Sequence, residues 1–313
     1  MSKRLLLAIH MPELSRIANL TASLGHTPHT PPRQYHCPQR TPVMTFSLSA
    51  TRPTPPRRQS GGHRRHDFSG PELETLITLS DPAQLGDLRD AHDKVSAIAD
   101  LFTRHGDPRG LFPLIYRTGL DALVHSLEQG TYRHPDWVET FDRDFARRYL
   151  KHLYAHLTGG HVSAPWRHFY ELTANDSLSV GRLVAAALNA HIVVDLPEAL
   201  HAARSQERHL GDYRTISGEI FATADVVIAD IRQVYGADLA PLYRLYVLRG
   251  LADPSAGQPS VQSTLFHTAA NAAFINARTL AAPLIRPLLR RQIRILWRTG
   301  EAMADRFAAA GVL

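Results

Sequence analysis

The feature that most restricts the fold of this chain is the helical spacing of its apolar residues, which begins near Asp67 and continues to the end. Between Leu85 and Phe102, for example, apolar side chains recur every three or four residues, which places them on one face of a helix. We find no convincing alternation of the kind that a strand shows. The sequence therefore predicts an all-α protein, with one compact multi-helix domain at residues 67–313.

Glycine and proline divide this pattern into separate helices. Helix ends are predicted at Gly106, Gly130 and Gly159, and a helix start is predicted at Pro135, because proline lacks only an N–H that the first turn leaves unused. Pro283 and Pro287 are expected to divide or kink a long helix that starts near Ser260. Another helix is predicted to begin at the N-cap Asp212 and to carry five apolar residues inward, namely Ile216, Ile220, Val227, Ile231 and Val234.

Residues 1–66 have a different composition, rich in Pro, Arg and His, with no helical or strand period, and they are predicted to form a disordered tail. Ten of the 35 Lys and Arg residues lie there, with one of the 29 Asp and Glu residues. The remaining 25 basic and 28 acidic residues leave 67–313 slightly negative. The helical body therefore lacks the positive field of a nucleic-acid-binding domain, and no specific nucleic-acid binding is expected.

Cysteine content and hydropathy favour a cytoplasmic protein. The one cysteine, Cys37, cannot form an intrachain disulfide, which fits a reducing compartment. The opening segment Met1–Ile9 is shorter in its apolar core than the roughly 7–15 residues of a secretory signal. No segment is expected to supply the roughly 20 apolar residues that cross a bilayer.

Polar and titratable residues interrupt the most apolar helical run, which extends from Leu178 to Val194 and is predicted to form the central, most buried helix. His191 and Asp195 stand four residues apart, so on a continuous helix they project from one face. Asn189 lies close by, and His201 lies further along. This stretch is the predicted functional site, with His191 and Asp195 as candidates for acid/base chemistry or metal binding.

Asp195 also allows a structural interpretation. Followed by Leu196, Pro197 and Glu198, it has the form of a helix N-cap with a capping box. In that case the helix breaks after Val194 and the histidine need not face the carboxylate. For His191 the structural interpretation is a neutral imidazole in the core, with one nitrogen donating and the other accepting.

A second carboxylate lies on a mostly apolar helix face, where Asp142 shares its face with Tyr149. A carboxylate buried alone costs several kcal/mol or shifts its pKa upward, so a partner is expected among His191, Arg148 and Arg167. The structural interpretation is a buried ion pair between two helices. The functional interpretation is a polar pocket in which Asp142, His191 and Asp195 act as catalytic residues, lined by Tyr149, Trp166, Asn189 and Tyr213.

The last predicted helix, from about Leu288 to Phe307, carries an arginine stripe. The stripe is expected to face away from the apolar residues and to be either a solvated surface or a contact for an anionic membrane or acidic partner. The stripe comprises Arg290, Arg291, Arg294 and Arg298, and the apolar residues are Leu288, Leu289, Ile293 and Trp297.

A series of short segments in order resembles the mostly actinobacterial proteins catalogued as domain of unknown function 5995, which implies a bacterial source. The most specific segments are Asn189-Ala190-His191-Ile192 and Asp195-Leu196-Pro197. The resemblance spans roughly Asp107 to Leu280 and implies no particular activity. Supporting segments are Gly110-Leu111-Phe112, Phe141-Asp142, Tyr149-Leu150, Ala164-Pro165-Trp166-Arg167 and Asp212-Tyr213.

The run His191-x₃-Asp195-x₅-His201 is also similar to a helix of zinc-dependent phospholipase C and the P1-type nucleases. That similarity implies a divalent metal such as zinc, bound by His191, Asp195 and His201, with Asp212 as a further candidate ligand. Zinc would activate a bound water and polarise a phosphoryl oxygen. The additional His-x₃-Glu pair that such a cluster needs is missing from the body of the sequence.

The sequence is compatible with three hypotheses about function. The chain is an enzyme with a His/Asp site, either a metal-dependent hydrolase or a small-molecule tailoring enzyme. Alternatively it binds a small molecule without chemistry. In the third hypothesis the polar cluster only sets how the helices pack against each other.

Overall fold

The computed structural model describes residues 68–243 and 261–313, with side chains for all of these except 261–270. The described residues form helices joined by turns and contain no strand, which confirms the predicted all-α class. The tail predicted for residues 1–66, Cys37, and the residues that follow Tyr243 in a predicted helix lie outside the described residues. The helices are α1 (Gly70–Ser80), α2 (Leu88–Arg104), α3 (Leu111–Glu128), α4 (Pro135–Thr158), α5 (Ala164–Leu172), α6 (Val180–Leu188), α7 (Leu196–Ala202), α8 (Leu210–Ala222), α9 (Ala224–Tyr235), α10 (Ala240–Tyr243), α11 (Val261–Leu280) and α12 (Arg286–Ala309).

Local sequence signals set most of these helix ends. Ser69 and Glu72 form a reciprocal capping box at the start of α1. Helix α4 begins at Pro135, as predicted, and ends at Thr158, followed by Gly159, whose φ of 73° is the left-handed conformation that glycine adopts without steric cost. Pro283 lies in the turn that separates α11 from α12, and Pro287 lies in the first turn of α12, where a missing N–H is tolerated.

The central element is a continuous helix from Val180 to Ala202, formed by α6, a π-helical segment and α7. Its α6 part packs against α3, α5 and α12, and its α7 part packs against α4 and α11. Six consecutive residues, Arg182 to Ala187, are buried, as expected for a helix that is apolar on nearly all sides.

This helix also has the length and apolar composition of a membrane span, which the sequence analysis had not expected. It has 23 residues and a mean hydropathy of 1.4 in its most apolar window. However, 67% of that window is buried inside the protein, and a core helix has the same composition. Packing against neighbouring helices accounts for its apolar character.

Two predictions about helix faces are wrong. The helix expected after Asp212 is two helices, α8 and α9, with a break at Thr223, and Ile220 and Val234 are each 38% exposed rather than inward. In α12 the inward side is centred on Leu289 and Ile293, so Leu288 turns outward and is 66% exposed. Apolar character alone did not define the buried stripe, because α12 has apolar residues on both sides.

Candidate functional site

The π-helical segment Asn189–Asp195 positions the central polar residues. At the end of this segment the backbone N–H of Leu196 donates to the carbonyl oxygen of His191, five residues earlier. The widened turn comes just before Pro197, which lacks the N–H that a regular helix would require there. π-Helical turns are rare in proteins, and those that occur often lie at functional sites.

The helix continues through Asp195, so the N-cap interpretation of that residue is wrong. Asp195 has helical backbone angles, φ −76° and ψ −38°, and its side chain makes no capping hydrogen bond. The carboxylate instead turns inward and is buried. His191 and Asp195 therefore share one face of the helix, as the four-residue spacing predicts.

Asp195 is the acceptor that joins His191 to Trp166. The indole Nε1–H of Trp166 donates to Asp195 Oδ2 over 2.7 Å, in a fully buried position. The imidazole Nδ1 of His191 lies 3.3 Å from the same oxygen. Because the carboxylate is the acceptor, this contact assigns the proton to Nδ1. The His–Asp–Trp cluster defined by these three residues connects α5 to the π-helical segment.

Aromatic rings enclose the imidazole of His191, which is 2% exposed. The Phe145 ring stacks on it, with centroids 3.7 Å apart and planes 9° apart. Phe112 and Tyr116 contact it edge to face at 4.9 and 4.8 Å. Burial lowers the pKa of the His191 imidazole, and the hydrogen bond to Asp195 opposes this shift. The ring is therefore favoured in its neutral form.

The far side of the imidazole has an unused acceptor. With Nδ1 protonated, His191 Nε2 carries a lone pair, and this buried atom has no hydrogen-bond partner among the described residues. The hydroxyl groups of Tyr116 and Tyr149 are also buried, and no described residue is a hydrogen-bond partner of either. Burial raises the pKa of both phenols well above the usual value, so both keep their protons. Unpaired buried polar atoms cost free energy, and such groups in a folded protein call for an explanation.

Asp142 does not form the ion pair that was predicted for it. Its Oδ2 atom has no hydrogen-bond partner within the described part of the chain, and the residue is 1% exposed. Arg148 instead binds Asp144 at 2.9 Å and the carbonyl oxygen of Glu198 at 3.2 Å, while Arg167 is exposed. Burial, together with nearby Glu139 and Glu219, raises the pKa of the Asp142 carboxyl well above its usual range. Asp142 is therefore favoured as a neutral acid.

The predicted metal ligands are not assembled into one site. Asp212 accepts backbone hydrogen bonds from Arg133 and His134 at 2.9 Å each, and it faces the His134 ring at 2.8 Å. These bonds hold the start of α8 against the turn before α4. Among the described residues, no group of three or more His, Cys, Asp or Glu is arranged to hold a metal ion. The set His191, Asp195, His201 and Asp212 therefore does not fit a zinc cluster.

Two of the predicted pocket residues lie elsewhere. The Asn189 side chain donates to the Trp297 carbonyl at 2.9 Å and to Glu301 at 2.7 Å, so it faces α12 rather than the imidazole. The Tyr213 ring packs between Phe141 and Phe274. Tyr149 and Trp166, in contrast, do lie next to the aromatic enclosure, with ring centroids 5.5 Å apart.

A buried ionic network next to the site was not predicted from the sequence. Arg182, 1% exposed, donates to Glu301 and Asp305 at 2.8 Å each. His168 lies 3.2 Å from Glu301, which also accepts the Asn189 hydrogen bond. An arginine inside an alanine-rich helix was the available signal, since a buried guanidinium requires acidic partners. The network attaches α12 to the central helix.

The fold and site together define an all-helical protein with a His–Asp–Trp cluster buried under aromatic rings. The chain belongs to the family of unknown function DUF5995, whose family model matches residues 88–306. That match confirms the family to which the resemblance pointed. No curated protein and no solved structure matches the chain. The weaker likeness to a helix of phospholipase C and the P1-type nucleases is not confirmed by these comparisons.

Proposed function

We propose that the protein is an enzyme that acts on a small molecule, with His191 as the group that accepts a proton from the substrate. The observation that carries the proposal is the buried Nε2 atom of His191, which has a lone pair and no hydrogen-bond partner in the part of the chain that the structure describes. A neutral imidazole whose other nitrogen is held by a carboxylate is the usual arrangement of a general base.

Asp195 and Trp166 are positioning residues in this proposal. Asp195 holds the imidazole through Nδ1, so Nε2 is the nitrogen that faces the substrate. The Trp166 indole N–H, 2.7 Å from the same carboxylate oxygen, keeps the carboxylate in place. Both residues act through His191, because neither offers a free polar atom comparable to Nε2.

The neighbouring hydroxyl groups suit recognition of a polar substrate. Tyr116 and Tyr149 each have an O–H that no described residue accepts, and each is expected to donate to an oxygen or nitrogen of the substrate. Asp142, favoured as a neutral acid, supplies a candidate proton donor on the same helix as Phe145. The aromatic rings of Phe112 and Phe145 would pack on the apolar part of the molecule.

Access to Nε2 requires the aromatic rings to separate, because the imidazole is 2% exposed. Substrate binding is therefore coupled to an opening of the enclosure, and only a molecule that stabilises the open form would shift the equilibrium. Among the described residues the predicted ligands do not converge, so no step of the reaction is assigned to a metal ion. The proposed location is the cytoplasm, where small-molecule metabolites are available.

The test is turnover of a defined panel of metabolites by the full-length chain, with each compound followed by mass spectrometry. Consumption of one compound is expected for the wild type and not for His191→Gln or Asp195→Asn. His161→Gln, at an exposed histidine, is the matched control and should keep full activity. Since burial lowers the pKa of His191, the rate should persist as the pH falls below the ordinary histidine value of 6.5. Turnover that survives His191→Gln would exclude the proposal.

The alternative is a helical ligand-binding or interaction protein without chemistry. The observation in its favour is the closed enclosure around His191, formed by Phe112, Tyr116 and Phe145. In this case a compound of the panel would raise the melting temperature and remain unchanged. If no compound binds and His191→Gln only lowers the melting temperature, the cluster serves helix packing alone.

A further inference from the structure

The outward side of α12 combines exposed apolar residues with unpaired arginines. Leu284, in the turn before the helix, is 96% exposed, Leu288 is 66% exposed, and Ile295 is 53% exposed. Within the helix, the residues Leu288, Arg291, Ile295 and Arg298 follow one another at intervals of three and four, so these four lie on one side. We call this surface, together with the flanking Arg294, the outer face of α12.

The electrostatic character of the outer face differs from that of the body. Between Ala281 and Gly300 the sequence has five arginines and no acidic residue, although residues 67–313 as a whole are slightly negative. Arg290 pairs with Glu198 at 2.7 Å. Arg291, Arg294 and Arg298 are exposed, and no ion pair holds any of them in the part of the chain that the structure describes. Their charges are therefore available to a partner.

From these observations we propose that the outer face of α12 binds an anionic lipid surface. An amphipathic helix with arginines and protruding Leu and Ile residues lies in the membrane interface, where the apolar tips enter the acyl boundary and the arginines reach phosphate groups. Here Leu284 and Leu288 would enter first, and Arg291, Arg294 and Arg298 would contact headgroups. Each arginine that lies next to an anionic lipid surface strengthens binding of the protein to that surface by about fivefold.

Charge repulsion disfavours the two other candidates for contact with the outer face, which are residues 1–66 and a second copy of the chain. Residues 1–66 have ten basic residues and one acidic residue, so this segment would be repelled by the outer face. Two copies of the chain that met through this face would bring their arginines together, and like charges at an interface are unfavourable.

The inner side of the same helix contacts the candidate site, so membrane docking and the site are physically adjacent. Leu289 and Ile293 pack against Val193 and Val194 of the π-helical segment. A lipid surface that holds α12 would therefore lie on the opposite side of this helix from His191. The lipid proposal does not depend on what His191 does.

The first experiment measures binding of the full-length chain to vesicles of phosphatidylcholine mixed with phosphatidylserine, and to vesicles of phosphatidylcholine alone. Binding is expected only to the mixed vesicles and should weaken with salt. Reversal of the three arginines to Glu should reduce it by at least about a hundredfold. The control variant reverses three other exposed arginines, Arg104, Arg133 and Arg167, and should bind far better at the same net charge.

The second experiment separates insertion of the face from attraction by the basic residues 1–66. An environment-sensitive dye on Leu288→Cys, in a Cys37→Ser background, should shift to shorter wavelength on mixed vesicles. Substitution of Leu284 and Ile295 by Ser should abolish the shift, whereas Val226→Ser, at another exposed apolar residue, should not. Circular dichroism verifies that each variant is folded.

Several results would overturn the proposal. One is the absence of binding to mixed vesicles, and another is equal loss in the control and outer-face arginine variants. Binding that shows no dye shift and that arginine reversal does not weaken would assign the attraction to residues 1–66. Loss of binding on arginine reversal, with the dye shift unaffected by the Ser substitutions, would contradict insertion of the apolar residues.

Discussion

The hydrogen bond from Trp166 to Asp195 makes a quantitative prediction about stability. Substitution of Trp166 by Phe keeps an aromatic ring in place but removes the N–H that donates over 2.7 Å to the buried carboxylate. Hydrogen bonds to charged groups contribute roughly 1.5–3 kcal/mol, and a smaller aromatic ring in a core adds a further packing loss. The free energy of unfolding of the variant should therefore be clearly smaller than that of the wild type.

Trp137 provides a matched control, because Trp137→Phe removes the same atoms. Its indole N–H donates to the neutral hydroxyl of Ser205 over 3.2 Å, and the residue is 7% exposed. A neutral hydrogen bond contributes roughly 0.5–1.5 kcal/mol. Since the packing losses are similar, Trp166→Phe should cost about 1–2 kcal/mol more than Trp137→Phe.

The assay is equilibrium unfolding in urea at neutral pH, followed by circular dichroism and tryptophan fluorescence. In an Asp195→Asn background the extra cost of Trp166→Phe should shrink, because the acceptor is then neutral. Equal losses for the two Trp→Phe variants in the wild-type background would refute the reasoning. That result would mean that Asp195 is not a charged acceptor for the indole.

Two other substitutions test the surroundings of the site. Because burial raises the pKa of Asp142 above its usual 3.8, the wild type should lose stability relative to Asp142→Asn as the pH rises from about 4. Urea midpoints at acidic and neutral pH measure this effect, and a parallel pH dependence in both proteins would contradict it. Gly300→Ala should destabilise the protein, since the added methyl would lie 2.7 Å from the Asn189 amide oxygen. Gly218→Ala, in another helix with no atom within 4 Å, should instead stabilise it by up to about 1 kcal/mol, and a melting-temperature comparison decides between these outcomes.

Helix formation in this protein depends on short-range signals, so the sequence predicted it well. The spacing of apolar residues, the proline at 135 and the glycine at 159 act within one or two turns of backbone. The pairing of His191 with Asp195 was predictable for the same reason, because a four-residue separation places both side chains on one helix face. The family match likewise rests on short segments of sequence.

The partners of the buried polar groups depended on how separate helices pack, which local spacing does not contain. Trp166 reaches Asp195 from α5, Asn189 turns toward α12, and Asp142 is left without the partner expected for it. Each outcome requires the relative position of helices distant in sequence. The sequence by itself determined which residues share a face, whereas tertiary packing determined that Leu288 is exposed, because a helix with apolar residues on two sides buries only the side its neighbours cover.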